Sequence, residues 1–336
     1  MAAMSVASTE ILGQVRRLAA TKAAAADTRR PFRFFLCGDP ALVSELRATL
    51  LSGHEDALVP LDAAATLETI DPVRRPTIVA SDARCVIFLG RSGDAAGARL
   101  DLLVTLGLPV YVVTVDPAAE PQMPLLAPAA GKLGDYVMPG LDREALRGRL
   151  FVHLIDCCKG IEVAVARRLP ALRETVAAKL TRDAASNALK VAAASAVIDH
   201  VPILGLALGA VASAGDMVAI TAIQVSLLTN IGAAYGKDPD MASVWEMLPI
   251  VGGGLGWRAL ARELSGFIPI AGIAIKSGIA FAGTIVVGEG ITFFYEHGRH
   301  MSKAQAASVY EETKRAAMSL AHEFNARVIK RGKDPH

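Results

Sequence analysis

Charged side chains are missing from two long stretches of this chain. Val201–Gly236 carries one formal charge, Asp216, in 36 residues, and Leu264–Tyr295 carries only Lys276 and Glu289. A membrane-crossing helix needs about 20 mainly apolar residues. Ala194–Gly215 and Met217–Gly236 each nearly suffice, and Gly215–Asp216 is expected to form the turn of a helical hairpin between them. Gly205 and Gly209 make a GxxxG pair, which lets helix backbones approach closely in lipid. Leu264–Tyr295 is the weaker stretch, because Lys276 splits it. The rival reading is a soluble bundle of buried helices packed through Ala and Gly.

Ahead of these stretches the pattern changes. Phe32–Cys37, Cys85–Leu89 and Pro109–Val115 are short apolar runs of strand type, and Tyr136–Met138 is a candidate fourth. Pro40–Leu51 and Ala95–Leu106 carry helical spacing between them. Strands alternating with helices predict an α/β domain with a parallel sheet covered on both faces. Residues 141–192 read as continuous helix broken once, at Pro170. Ile11, Leu12, Val15 and Leu18 mark a short amphipathic N-terminal helix, and Val309, Ala316, Leu320, Phe324 and Val328 mark another over 302–329. The expected organisation is an N-terminal helix (1–30), an α/β domain (31–145), a helical connector (146–192), an all-α, Ala/Gly-rich domain (193–300) and a C-terminal helix and tail (301–336).

Composition strengthens the membrane reading. Of the 336 residues 52% are hydrophobic and only 20% charged, against about 25% charged in ordinary soluble chains. Mean hydropathy is +0.39. A net charge of +2 is too small to argue for nucleic acid. Cys37, Cys85, Cys157 and Cys158 form no CxxC pair, so a reducing compartment is expected. Basic residues at 167–190, and eight Lys/Arg against four Asp/Glu from Arg299 onward, favour the cytoplasmic side of a membrane for both polar ends.

The loop after the first strand stands where a phosphate-binding loop would. That loop reads GxxxxGK[ST]: glycine amides wrap the phosphates, Lys meets their charge and Ser/Thr holds magnesium. Here it reads Gly38-Asp39-Pro40-Ala41-Leu42-Val43-Ser44-Glu45. Only Gly38 fits; Ser44 replaces the Lys, Glu45 stands at the metal position, and Asp39 and Glu45 would repel phosphate. Asp116 fits the last position of a guanine-specificity NKxD motif without its Asn or Lys, and capping of the strand end is the favoured reading. Gly90-Arg91-Ser92-Gly93-Asp94 imitates a nucleophile elbow, but the fifth position is Asp94, and a simple turn is favoured. His297 and His300 read as a polar helix end rather than a metal site. No catalytic residue, cofactor or metal is expected. Asp216, Gln224, Lys276 and Glu289 are costly in lipid and are expected to be interhelix contacts, with Lys276 pairing Asp216 or Glu289.

A further set of pieces runs through the C-terminal half: Arg167-Arg168-Leu169-Pro170-Ala171-Leu172-Arg173, the Pro202–Gly205 turn, Gly215-Asp216, Thr221-Ala222-Ile223-Gln224 and Ala234-Tyr235-Gly236. It continues through Pro249–Leu264, Gly266–Gly272 and Phe281-Ala282-Gly283-Thr284, covering about residues 160–300. In their order and spacing these pieces resemble the YcjF-like family, domain of unknown function 697, a bacterial helical domain often fused to GTPase domains. The resemblance implies membrane association and a GTPase-like partner or domain, and no chemistry. The N-terminal half is then expected to be a P-loop-like sheet with eroded nucleotide motifs. The combined expectation is a non-enzymatic, membrane-associated scaffold or regulator at the cytoplasmic membrane, with lipid and a GTPase or other protein as partners. A divergent GTPase and a soluble helical adaptor are the alternatives, and self-association is left open.

Overall fold

The computed structural model describes residues 24–53, 59–71, 73, 81–92, 97–198, 205–239 and 273–315, with the backbone alone at 97–99, 195–198, 205–218 and 273–276. Five parallel strands form one sheet in the order β2-β1-β3-β4-β5. They are β1 (Arg33–Gly38), β2 (Leu67–Thr69), β3 (Ala83–Arg91), β4 (Val110–Val115) and β5 (Leu133–Met138). Helix α1 (Pro40–Leu51) follows β1, and α2 (Gly97–Val104) joins β3 to β4.

The central strands are apolar throughout because both faces are covered. Phe34, Leu36, Cys85, Ile87, Tyr111, Val113 and Tyr136 face one core with Leu42, Leu46 and Leu50 of α1. Phe35, Cys37, Val86, Phe88, Val110 and Val112 face another with Leu103 of α2. The alternation of strand side chains divides the two sets. This confirms a parallel α/β sheet. Its order is the flavodoxin-like doubly wound one, so the strand topology lends no support to the P-loop-like part of the expectation.

Residues 141–192 are not one helix. They fold as α3 (Arg143–Arg147), α4 (Leu150–Asp156), α5 (Glu162–Arg168), a 3₁₀ turn at Pro170–Leu172 and the start of α6 (Arg173–Ile198). Gly148 ends α3, Gly160 turns the chain at φ +82°, and Pro170 leaves Leu169 outside helical geometry. The breaks let Leu146, Phe151, Leu154, Val165 and Leu172 close over the same core as α1. The compact α/β unit therefore runs Ala26–Val176, with Ala233–Gly236 added, rather than stopping at 145.

The second unit holds the remainder of α6, most of α7 (Gly205–Ala234), α8 (Ile273–His297) and a helix over 303–315. Here the hairpin expectation is overturned: α7 runs unbroken for 30 residues through Gly215 and Asp216. A single interior glycine costs about 1 kcal/mol against alanine, which long helical flanks absorb. Thirty residues rise about 45 Å, enough for one span. Its side-chain-resolved apolar part, Ala219–Ala234, is shorter than a span, whereas Ser277–His297 of α8 is long and apolar enough to cross. Just over half of that segment, 56%, is buried within the protein, as the core helix of a soluble protein would also be. Thr229, Thr284 and Thr292 return their hydroxyls to carbonyls four residues earlier, at 2.8 Å each, which lets them sit in apolar helices.

Ser302 and Gln305 form a reciprocal capping box at the start of the last helix (2.9 and 3.2 Å). Its Ala306, Val309 and Tyr310 pack on Ala282 and Val286 of α8. The helix expected over 1–30 lies mostly outside the described residues, as do 240–272 and the tail beyond 315.

Candidate functional site

The carboxyl ends of the strands in an open α/β sheet are where ligands bind, and the β1–α1 turn lies there. Gly38 adopts φ +112°, and its amide plane is pressed so closely on β3 that a Cβ would lie 1.9 Å from the Leu89 carbonyl oxygen. The next amide, Asp39, donates to that same carbonyl at 2.8 Å. The turn is thus bound down onto the neighbouring strand.

The amides that open α1 are already occupied. Asp39 Oδ1 accepts from Ala41 N at 2.8 Å and Leu42 N at 3.1 Å, Val43 N donates to the Asp39 carbonyl at 2.9 Å, and Pro40 has no amide hydrogen. Arg91 Nε stands 3.5 Å from the Asp39 carboxylate. The Leu42 amide, then the Ala41 amide and Arg91, hold this carboxyl below the usual carboxylate range, against a partial opposing effect of desolvation. A helix N-terminus binds anions through free amides and its dipole. Here the anion is Asp39 itself. Ser44 and Glu45 are exposed on α1.

A cleft of about 890 Å³ lies beside this turn, between the ends of β1 and β2, lined among others by Cys37, Ser44, Arg47 and Asp71. Arg47 spends its guanidinium on the carbonyls of Leu67 and Ala64, at 2.9 Å each. Asp71 accepts from Val73 N at 2.8 Å. Burial pushes the Cys37 thiol up to about 12, aided by Asp71, so it is no nucleophile.

Asp116 ends β4 and accepts from Ala118 N at 3.0 Å in a tight turn. It is not beside the β1 turn, since β3 lies between the two strands. Ser92 is exposed at the end of β3, and Gly93 and Asp94 lie outside the described residues. His297 stacks on Phe293 at 4.1 Å between ring centres, and His300 lies 5.4 Å from Phe294. Among the described residues no group of three or more His, Cys, Asp or Glu could hold a metal ion. Gln224 is half-buried on α7 and Glu289 exposed on α8; the side chains of Asp216 and Lys276 lie outside the described residues, and with them the expected Lys276 pairing.

Two pieces of the sequence likeness do meet. Arg167 donates to the Ala233 carbonyl at 3.2 Å, and the Arg173 guanidinium lies 5.7 Å from the Tyr235 ring centre. Arg173 is buried and also reaches the carbonyls of Ala166 and Arg167. Arg168 bonds Asp62 at 2.7 Å and the Thr28 carbonyl at 3.1 Å. These three arginines serve the packing of the α/β unit, which weakens their use as cytoplasmic-side markers.

One cluster escaped the sequence. Tyr111 donates to the His153 carbonyl at 2.8 Å, and Tyr136 Oη meets His153 Nδ1 at 2.7 Å. Cys85, Cys157 and Cys158 lie beside them. Only the Cys157–Cys158 adjacency is visible in the sequence; strand register assembles the rest. Burial lowers the His153 pKa, partly countered by Asp156. The unfolded chain then binds a proton that the folded chain refuses, so stability is held above the ordinary value of 6.5 and falls as pH drops below it. Urea midpoints at pH 7.5 and 5.5 are expected to fall for the wild type, and to fall less for His153→Gln.

No protein-family model, no curated protein and no solved structure matches the chain.

Proposed function

We propose that this chain is a non-catalytic scaffold or regulator linked to the cytoplasmic face of a membrane, whose α/β unit binds a partner rather than hydrolysing a nucleotide. The observation that carries the non-catalytic reading is the occupied helix N-terminus: Asp39 takes the α1 amides that a phosphate would need. Phosphate would have to displace a carboxylate tied to both amides and to Arg91, with no Lys in the loop to repay the loss. The apolar length of Ser277–His297 and the resemblance to the YcjF-like helical domain support the membrane link. The loop after β4 supports binding. It exposes Met123, Leu125 and Leu126, with the two leucines 91% and 77% accessible. Paired Gln122–Val137 backbone hydrogen bonds of 2.9 Å hold that loop against β5, and preformed apolar surface of this kind marks interaction sites.

Titration of the full chain with fluorescent GTP and magnesium is expected to show no saturable binding. Saturation in the micromolar range would favour the divergent GTPase instead. Membranes from expressing cells, washed with carbonate, are expected to retain the protein. Its recovery in the supernatant without detergent would favour a soluble helical adaptor.

A further inference from the structure

Helix α8 is covered on one side by the chain that follows it. The helix over 303–315 runs back along α8 and lays Ala306 and Tyr310, with Met301 and Val309 beside them, on Ala282 and Val286. Its outer side carries Lys303, Glu311, Glu312 and Arg315, all exposed. With this cover in place, that side of α8 is backed by charge, and charge among acyl chains is costly. The apolar segment Ser277–His297 therefore cannot meet lipid there, whether it crosses a bilayer or lies along one. Roughly 120–160° round the helix, Gly288 packs on Thr181 of α6 too closely to admit a Cβ. The covered side is thus the one on which lipid has room to replace protein.

What joins the cover to α8 is apolar. Its side-chain hydrogen bonds and ion pairs among the described residues stay within it. They are the Ser302–Gln305 box, Ser308 to Glu312 at 3.1 Å, Thr313 to the Val309 carbonyl at 2.6 Å and Lys314 with Glu311 at 3.6 Å. Lys314 Nζ lies 5.7 Å from the centre of the Tyr310 ring on the same helix. The Tyr310 hydroxyl is buried with no hydrogen-bond partner among the described residues. Exchanging this helix for acyl chains breaks no polar contact to α8 and frees a stranded hydroxyl. The link between the two helices is an exposed turn, His297–His300, with Gly298 at φ +63°. Resting on the membrane link argued above, we propose that the helix over 303–315 is a releasable cover. It leaves α8 when acyl chains take its place on Ala282 and Val286.

Full-length protein made by cell-free synthesis without lipid, then mixed with vesicles of phosphatidylcholine and phosphatidylglycerol, tests this. Amides of 303–315 should exchange hydrogen at least about tenfold faster in the vesicle-bound protein than before mixing, because short helical segments are marginal in water off their packing face. Tyr310→Phe, which removes only the stranded hydroxyl, should tighten the cover and weaken vesicle binding at least about fivefold in flotation. Tyr310→Ala, which removes the ring, should strengthen binding at least about tenfold. The wild-type exchange needs no variant to fold. Equal binding by all three proteins, or amides of 303–315 as protected on vesicles as off them, would overturn the cover and leave the membrane link standing. Failure of all three to bind vesicles would overturn that link, and the cover with it.

Discussion

Gly38→Ala is expected to lower the stability of the α/β unit by more than about 4 kcal/mol, or to prevent its folding, a loss reserved for the severest single substitutions. Two costs combine. A φ of +112° is one that side chains with a Cβ rarely adopt. The added carbon would lie 1.9 Å from Leu89 O and 2.8 Å from Leu89 C and N, all backbone atoms of a central strand. β3 cannot retreat, because it is paired to β1 on one side and β4 on the other. Urea unfolding followed by near-ultraviolet circular dichroism measures the loss. Ser44→Ala, at an exposed position of α1 beyond the turn, should stay within about 0.5 kcal/mol of wild type. A Gly38→Ala protein as stable as wild type would return this glycine to a ligand-binding role.

Gly288→Ala should destabilise the helical unit by about 1–3 kcal/mol, the usual cost of overpacking. A Cβ at 288 on α8 would meet Thr181 of α6 at 2.1 Å from Oγ1, 2.4 Å from Cγ2 and 2.8 Å from Cβ. Thr181 is β-branched, 2% exposed and part of a helix, so it has no flexible end to swing away. Its buried hydroxyl has no hydrogen-bond partner in the described structure, so removing it sacrifices little. Thr181→Ala should therefore rescue Gly288→Ala in part and only in part, since the 2.8 Å approach of the two Cβ atoms persists. A double-mutant cycle on thermal unfolding of the full chain would read the coupling, and strict additivity would contradict this helix contact.

Both glycines show how far sequence reasoning reached. Gly38 was legible as the one surviving position of a phosphate-loop pattern, yet its structural reason is the close approach of β3, which no pattern in the loop encodes. Gly288 sits in an apolar run where nothing distinguishes it from Gly283 or Gly290. The strands β1, β3 and β4 were legible because burial on both faces leaves continuous apolar runs. β2, only Leu-Glu-Thr, was not: it exists through pairing with Phe34, Phe35 and Leu36. That short edge strand sets the flavodoxin-like order. The Gly215–Asp216 turn was misread for a related reason. A glycine and an aspartate are weak helix formers, but the free energy of helix continuation on either side outweighs about one residue's propensity cost.

The candidate site divides in the same way. Asp39, Pro40 and Glu45 could be read as hostile to phosphate from their charge and missing amide. That Asp39 occupies the amides itself required coordinates. The thiol cluster needed more, because Cys85, Tyr111, Tyr136 and Cys157 come from four separate elements.

By itself the sequence determined what depends on local composition: the parallel α/β unit, the apolar helices that follow and the departure of Gly38–Glu45 from the phosphate-loop pattern. Local periodicity records which faces are buried, so these follow from neighbours along the chain. Strand order, the extension of the first unit to Val176 and the meeting of three thiols were decided only by tertiary structure. Each depends on contacts between residues far apart in the chain, and their energy leaves no mark on the local pattern.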